Sequence, residues 1–333
     1  MQKNLKIIVK KTTYARIKNI LNTYDKYEIK IKIKFERMEG MLEKTESITA
    51  KICAFSRAYH SYFEINKVYD DYLAFDLLGY EEYEKTRDLL KKIILDDPKS
   101  ISNDEWKKQL NHNILPIPIS RIKYAEDKLL SFAEKNNECQ YVICGSGFDT
   151  FAFRNSNDNI KIFELDHPNT QKYKINRVKE INWVIPKNLN FVPIDFNKES
   201  IEERLLSANF NPKIKTFFAI LGVSYYLDLD TLSKTFESIS KLSASGSQVV
   251  LDYPDNTNWH VERVNNLREV TASLGEEMGD GYDFHQIQEK LAQNGYKIID
   301  YKDPKDIQKS YFNNRNDNLS AYENVHYILA QYK

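Results

Sequence analysis

The chain has 333 residues, 41% of them hydrophobic and 13% aromatic, which suits one large domain or two smaller ones and excludes a disordered chain despite 29% charged residues. Lysine plus arginine and aspartate plus glutamate number 48 each, so no global field draws the chain to nucleic acid or to an anionic membrane. No apolar run is long enough to span a bilayer, and the early stretch 5–9 is too short for a secretory signal. Cys53, Cys139 and Cys144 lack metal-ligand spacing and read as reduced thiols of a cytoplasmic protein.

Residues 1–40 read apart from the rest. The segment EIKIKIKFER at 28–37 alternates apolar residues with charged ones in the manner of an exposed strand. Two readings stay open for this segment: an N-terminal arm, or extra sequence upstream of a start near Met38 or Met41. The second unit, 41–333, carries the fold.

In 47–60, Ile48, Ile52, Phe55 and Tyr59 recur at spacings of three and four behind Ser47, an N-cap residue, and predict a helix. Two more helices are expected, VYDDYLAFDLLG stopped by Gly79 and EEYEKTRDLLKKIIL closed by Pro98. The stretch 106–118, with Pro116 and Pro118, reads as an irregular link. The stretch 120–134 reads as an amphipathic helix. Residues 45–118 precede the sheet and are expected to form a helical lid over a core spanning 119–333. Arg57, Tyr59 and His60 are expected to reach the pocket from that lid.

The core is organised around CQYVICGSGFDTFAFR at 139–154. A short apolar run stops at Gly145, Ser146 and Gly147, and the start of a helix follows. Glycines there let backbone approach a ligand where a Cβ would collide. Further strands are expected at 160–166, 190–195, 216–222, 247–253, 295–301 and 324–332. Helices are expected between them at 170–180, 199–206, 230–242, 261–274 and 284–292. This alternation predicts a mainly parallel seven-stranded α/β sheet with helices on both faces. Residues 302–323 show no helical period, so the last two strands are expected to meet by a hairpin-like return.

Ligands of such a sheet bind at the carboxyl ends of the strands. Gly145, Ser146, Gly147, Glu164, Asp166, Asp195, Phe196, Leu221 and Gly222 stand there. Two acids after neighbouring strands suit an adenosine, one accepting from ribose hydroxyls and the other from the adenine amine. Each acid alone also fits a helix cap or a solvated loop carboxylate. Thr150 stands where a dinucleotide fingerprint needs its third glycine, and the loop holds no lysine; both argue against NAD and against a P-loop.

The stretches GSGFDTFAFR, FELDHP, FVPIDF and FFAILGVSYYL resemble motifs of the bacterial leucine carboxyl methyltransferase-like family. SRAYHS with VYDDYLAFDLL, and SRIKYAEDKLL, resemble its N-terminal helices. The resemblance runs from about residue 45 onward. It implies a Rossmann-like class I methyltransferase fold and S-adenosylmethionine as cofactor. By the resemblance, Gly145, Ser146 and Gly147 pass under the methionine part of the cofactor, and Arg121 faces its carboxylate. Asp166 holds the ribose with Glu164 beside it, Asp195 and Phe196 bracket the adenine, and Leu221 and Gly222 line the sulfonium region. Lys51 aligns loosely with a cofactor-touching lysine of eukaryotic relatives. Asp149, Thr150 and Arg154 fall on positions that cap the helix and fix the loop.

Members acting on protein C-termini carry an acid near Leu221, so leucine here points to a small-molecule acceptor. The expected reaction is O-methylation of a carboxylate or hydroxyl. A protein carboxyl methyltransferase and a non-catalytic S-adenosylmethionine-binding protein are the alternatives. His60 and Tyr225 are base candidates by residue type. Arg57, Tyr59, His60, Tyr225 and Tyr226 are candidate substrate contacts, each with core packing as the competing role. Deleting residues 1–37 is expected to leave folding and cofactor affinity intact; a large fall in melting temperature on deletion would show that they pack on the core.

Overall fold

The strand at the centre, β1 (Cys139–Cys144), is buried along its whole length. Its amide side chain, Gln140, is satisfied by donating to Asn211 O at 2.8 Å and to Thr216 Oγ1 at 3.0 Å. The computed structural model describes residues 47–95, 102–258 and 260–333. The strand expected at 28–37 and the stop expected at Pro98 lie outside them.

Around β1 run β2 (Ile160–Asp166), β3 (Leu189–Pro193), β4 (Thr216–Ile220), β5 (Gln248–Pro254), β6 (Tyr296–Lys302) and β7 (Val325–Tyr332). The sheet order is β3-β2-β1-β4-β5-β7-β6. β1 pairs in parallel with β2 on one side and β4 on the other, in register Cys144 with Leu165 and with Ile220. The strand order reverses here, which opens a crevice at the carboxyl ends. β7 runs antiparallel between β5 and β6. The α/β class and the mainly parallel seven-stranded sheet thus match the sequence reading.

Twelve α-helices are present among the described residues. α1 (Ile48–Phe63), α2 (Ala74–Leu78), α3 (Tyr80–Ile94) and α4 (Asn103–Asn113) pack on one another and on α5 (Pro116–Glu134), which covers one face of the sheet at β4, β5 and β7; their buried residues share one core cluster with Tyr141, Phe217 and Tyr327. After β1 and β2 come α6 (Phe151–Arg154) and α7 (Pro168–Glu180). The opposite face is packed by α8 (Ile201–Ser207), α9 (Leu229–Lys241) and α11 (Phe284–Gln293) through Leu205, Phe236 and Leu291. α10 (Glu262–Ser273) and α12 (Pro304–Tyr311) complete the set. No helix among the described residues is long and apolar enough to cross a membrane.

Three expectations are corrected. The irregular link at 106–118 is α4 followed by the first turn of α5, with Pro116 at its start. Proline is tolerated there because a first-turn N–H has no intrahelical partner to lose. The return at 302–323 contains α12, whose N-cap Asp303 accepts from Asp306 N at 2.8 Å. The helix expected from VYDDYLAFDLLG shrinks to α2, because the residues before it are committed to a buried polar network.

In that network Arg57 of α1 pairs with Asp71 at 2.9 Å and donates to Phe148 O at 2.7 Å. Thr150 Oγ1 donates to the other Asp71 oxygen at 2.5 Å. Arg154 donates to Thr150 Oγ1 at 2.9 Å and pairs with Glu126 of α5 at 2.5 Å, where Tyr69 also donates at 2.6 Å. The Asp71 side chain is fully buried. Asp71→Ala strands the buried Arg57 charge and is expected to cost about 3–5 kcal/mol of stability in urea denaturation. A loss below about 1 kcal/mol would remove the pair from that role.

Candidate active site

The turn after β1 is held by the strands beside it. Gly145 N and Ser146 N both donate to Leu165 O, at 2.9 and 3.0 Å. Gly147 N donates to Asp166 Oδ2 at 2.5 Å, and His167 N donates to Oδ1 at 2.7 Å. Burial pushes the Asp166 carboxyl up, against these two backbone bonds. Gly145 has φ +74°, and a Cβ there would stand 2.8 Å from Val223 Cγ2, so only glycine lets the β1 turn meet the β4 turn. Next to Asp166, Ile194 N donates to Asp166 O at 2.9 Å, which sets Asp195 and Phe196 immediately beside it. The Phe196 ring is 40% exposed. Asp195 is held in its charged form by Lys198 at 2.9 Å.

On the other side, Gly222 has φ +69°, and a Cβ there would lie 2.6 Å from the Arg121 guanidinium. Asp252 fixes both: it accepts from Gly222 N at 2.7 Å and from Arg121 at 3.3 Å. Burial opposes the Arg121 charge, but Asp252 outweighs it and raises the pKa above the ordinary arginine value. Cys53 Sγ of α1 accepts from Arg121 at 3.2 Å, and Ala50 of α1 packs over Gly147. The ends of β1, β2, β3 and β4, with α1 above them, therefore converge on one crevice.

A family model described as leucine carboxyl methyltransferase matches residues 50–240. The chain belongs to the leucine carboxyl methyltransferase family. YktD of Bacillus subtilis (strain 168), named as an S-adenosyl-L-methionine-dependent methyltransferase, is 35% identical over 307 residues, covering 87% of this chain and 99% of that protein. A similarly named protein of Mycobacterium avium (strain 104) is 27% identical over 183 residues, 54% of this chain and 58% of its own length. A solved DUF574-family structure from Streptomyces avermitilis shares the fold with a TM-score of 0.51 at 11% identity, over 74% of this chain and 97% of that one.

As a leucine carboxyl methyltransferase family member the chain is a class I S-adenosylmethionine-dependent methyltransferase. Its residues fit that cofactor. The Ser146 hydroxyl in the turn is buried with no hydrogen-bond partner. Asp166 is nine-tenths buried with both oxygens already oriented by backbone. Arg121 carries a charge suited to a carboxylate, and the Phe196 face suits a flat base.

Other candidate residues of this family member are placed differently. Glu164 pairs through Oε2 with Lys174 at 2.5 Å, both side chains fully buried, while its Oε1 is buried with no hydrogen-bond partner, and burial pushes the carboxyl up to about 7 against the Lys174 charge. Lys51 turns to Glu82 at 2.7 Å. The face of α1 toward the crevice carries Ala50, Cys53 and Arg57, one helical stripe. Tyr59 lies off that stripe, against the Phe55 and Phe63 rings. His60 is fully buried and its Nε2 accepts from Val68 N at 2.8 Å, so the ring nitrogen a base would use is taken. Tyr225 is buried, and burial with Asp252 beside it holds the phenol neutral. Tyr226 is 39% exposed, near Glu276. Leu221 and Gly222 are half-buried at the β4 end. Asp149 accepts from Phe151 N at 2.7 Å and steadies the loop.

Sequence reasoning missed Asp71, Lys174, Asp252 and Glu276. Only Asp252 left a signal, an acid inside the apolar run VVLDY. Burial, with Arg315 nearby, pushes His60 down to about 4, below an unfolded value of about 6.5. Its stabilising contribution is therefore full above pH 6.5 and is lost as the pH falls toward 4. Between pH 7 and pH 4.5 the parent should lose on the order of 2–3 kcal/mol more stability in urea than His60→Gln. Equal losses would reject the shift.

Proposed function

We propose that this enzyme methylates an oxygen of a small molecule, with a carboxylate as the acceptor its geometry serves best. When bound, S-adenosylmethionine supplies a methyl group already activated on a sulfonium centre. The chain's own residues have to bind, orient and exclude water. Gly147 and Asp166 lock the turn, Arg121 and Gly222 form the opposite wall, and α1 closes over both. The observation that carries the cofactor reading is the bond from Gly147 N to Asp166 Oδ2, which makes the turn after β1 and the acid after β2 one unit.

The acceptor class rests on the bases. His60 Nε2 is occupied and Tyr225 is held neutral, so neither is set to take a proton. A carboxylate is ionised at neutral pH and needs no base, whereas a hydroxyl does. The family description favours a second reading, a protein C-terminal carboxylate. Uncharged Leu221 and the close packing of Ala50 over Gly147 support the small acceptor instead. The three free thiols and the zero net charge support a cytoplasmic enzyme without nucleic-acid or membrane partners.

Calorimetry on the purified chain should show binding of S-adenosylhomocysteine and none of NAD. Asp166→Ala should weaken that binding by about 1–3 kcal/mol. NAD binding without an S-adenosyl ligand would overturn the cofactor reading. With labelled cofactor and a cell extract, label should enter base-labile small molecules; label in protein alone would favour the second reading.

A further inference from the structure

Two segments cover the ligand end of the sheet, α1 and the loop 274–282. The loop is pinned to the β4 turn: Gly279 N donates to Tyr225 O at 2.8 Å, and the Tyr282 hydroxyl donates to Ser224 O at 2.6 Å. Its other end carries Glu276, which reaches the first turn of α1. Glu276 Oε1 accepts from Ser47 Oγ at 3.1 Å and from Thr49 N at 3.4 Å, and Oε2 accepts from Thr49 Oγ1. The first amides of a helix lack intrahelical partners and the helix dipole favours a negative charge there, so a carboxylate suits this position. From α7, Thr170 Oγ1 accepts from Ser47 N at 3.3 Å.

One turn further along, Ala50 packs over Gly147 and Cys53 meets Arg121. Whatever holds the first turn of α1 therefore holds the cover on both walls of the crevice. We infer that Glu276 is a positioning residue for the methyl transfer: it clasps α1 to the loop 274–282 and keeps the cover closed over the bound cofactor. The inference rests on the S-adenosylmethionine reading. Glu276 binds no part of the cofactor in this role. Its loss opens the exit while leaving the Asp166, Arg121 and Phe196 walls in place.

The test is the dissociation rate of S-adenosylhomocysteine from the purified full chain, by stopped-flow displacement. Glu276→Ala and Thr49→Val should each accelerate it by roughly tenfold to a hundredfold, the scale of lost bonds to a charged group. The double variant should be no faster than Glu276→Ala alone, because that change already removes the bond Thr49 Oγ1 makes to Glu276. Thr49→Ser, which keeps the hydroxyl, should retain the parental rate. Should Glu276→Ala fail to fold, Thr49→Val, which removes the Oε2 bond and leaves those from Ser47 Oγ and Thr49 N, decides. Folded single variants within twofold of the parent, or a double variant that multiplies their effects, would overturn the inference. A parent that binds no S-adenosylhomocysteine removes the cofactor reading and this inference with it, whereas a binding parent with unchanged variants removes this inference alone.

Discussion

Asp71 is a carboxylate with no exposed side-chain surface, held by Arg57 on one oxygen and Thr150 on the other. A charge taken that far from water is tolerated only while its partners stay in place. Those partners belong to different parts of the molecule: Arg57 to the cover, Thr150 to the turn that follows the central strand. Because Arg57 also reaches Phe148 O, and Arg154 carries the network on to Glu126 in α5, cover, turn and supporting helix form or fail together. A loosened α1 would have to leave an arginine and an aspartate unpaired in the interior. The network thus anchors the middle of α1, and its first turn is held separately, by Glu276 and Thr170.

The acids at the end of β2 divide the work. Glu164 and Asp166 point from one strand to the same side, two residues apart. Burial pushes both carboxyls up. Lys174 pairs directly with Glu164, while Asp166 is bonded by backbone dipoles from Gly147 N and His167 N and feels the Lys174 charge from farther off. Glu164 braces α7 against the sheet through Oε2 and leaves Oε1 buried without a hydrogen-bond partner. Asp166 keeps lone pairs that a ligand hydroxyl can use. The deeper pair also places a buried cation behind the site, which steadies the negative charge in front of it.

The sheet was legible because its signals are local. Apolar runs broken by glycine mark β1 and its turn, and alternating strand and helix periods mark the layers. The start of α5 at Pro116 was missed because proline was read as a breaker, although the first turn of a helix accepts it. The polar partners were illegible for another reason. Thr150 and Asp71 lie 79 positions apart, Arg121 and Asp252 131, and Thr49 and Glu276 227. No periodicity reports such pairs. His60 shows the same limit from the other direction: its residue type suggested a base, but a backbone N–H eight positions away had already claimed the nitrogen.

The placement of β7 between β5 and β6 bears on how the chain is made. Strands β1 to β5 can pair as they leave the ribosome, each neighbour having been synthesised by the time β5 emerges. β5 then presents an open, apolar edge, Val249 to Leu251, until β7 arrives. β6 emerges earlier but has no partner except β7. During that interval an unpaired edge is a template for another nascent chain. Arrival of β7 closes both edges in one step, so pairing of this strand separates an aggregation-prone intermediate from a finished sheet.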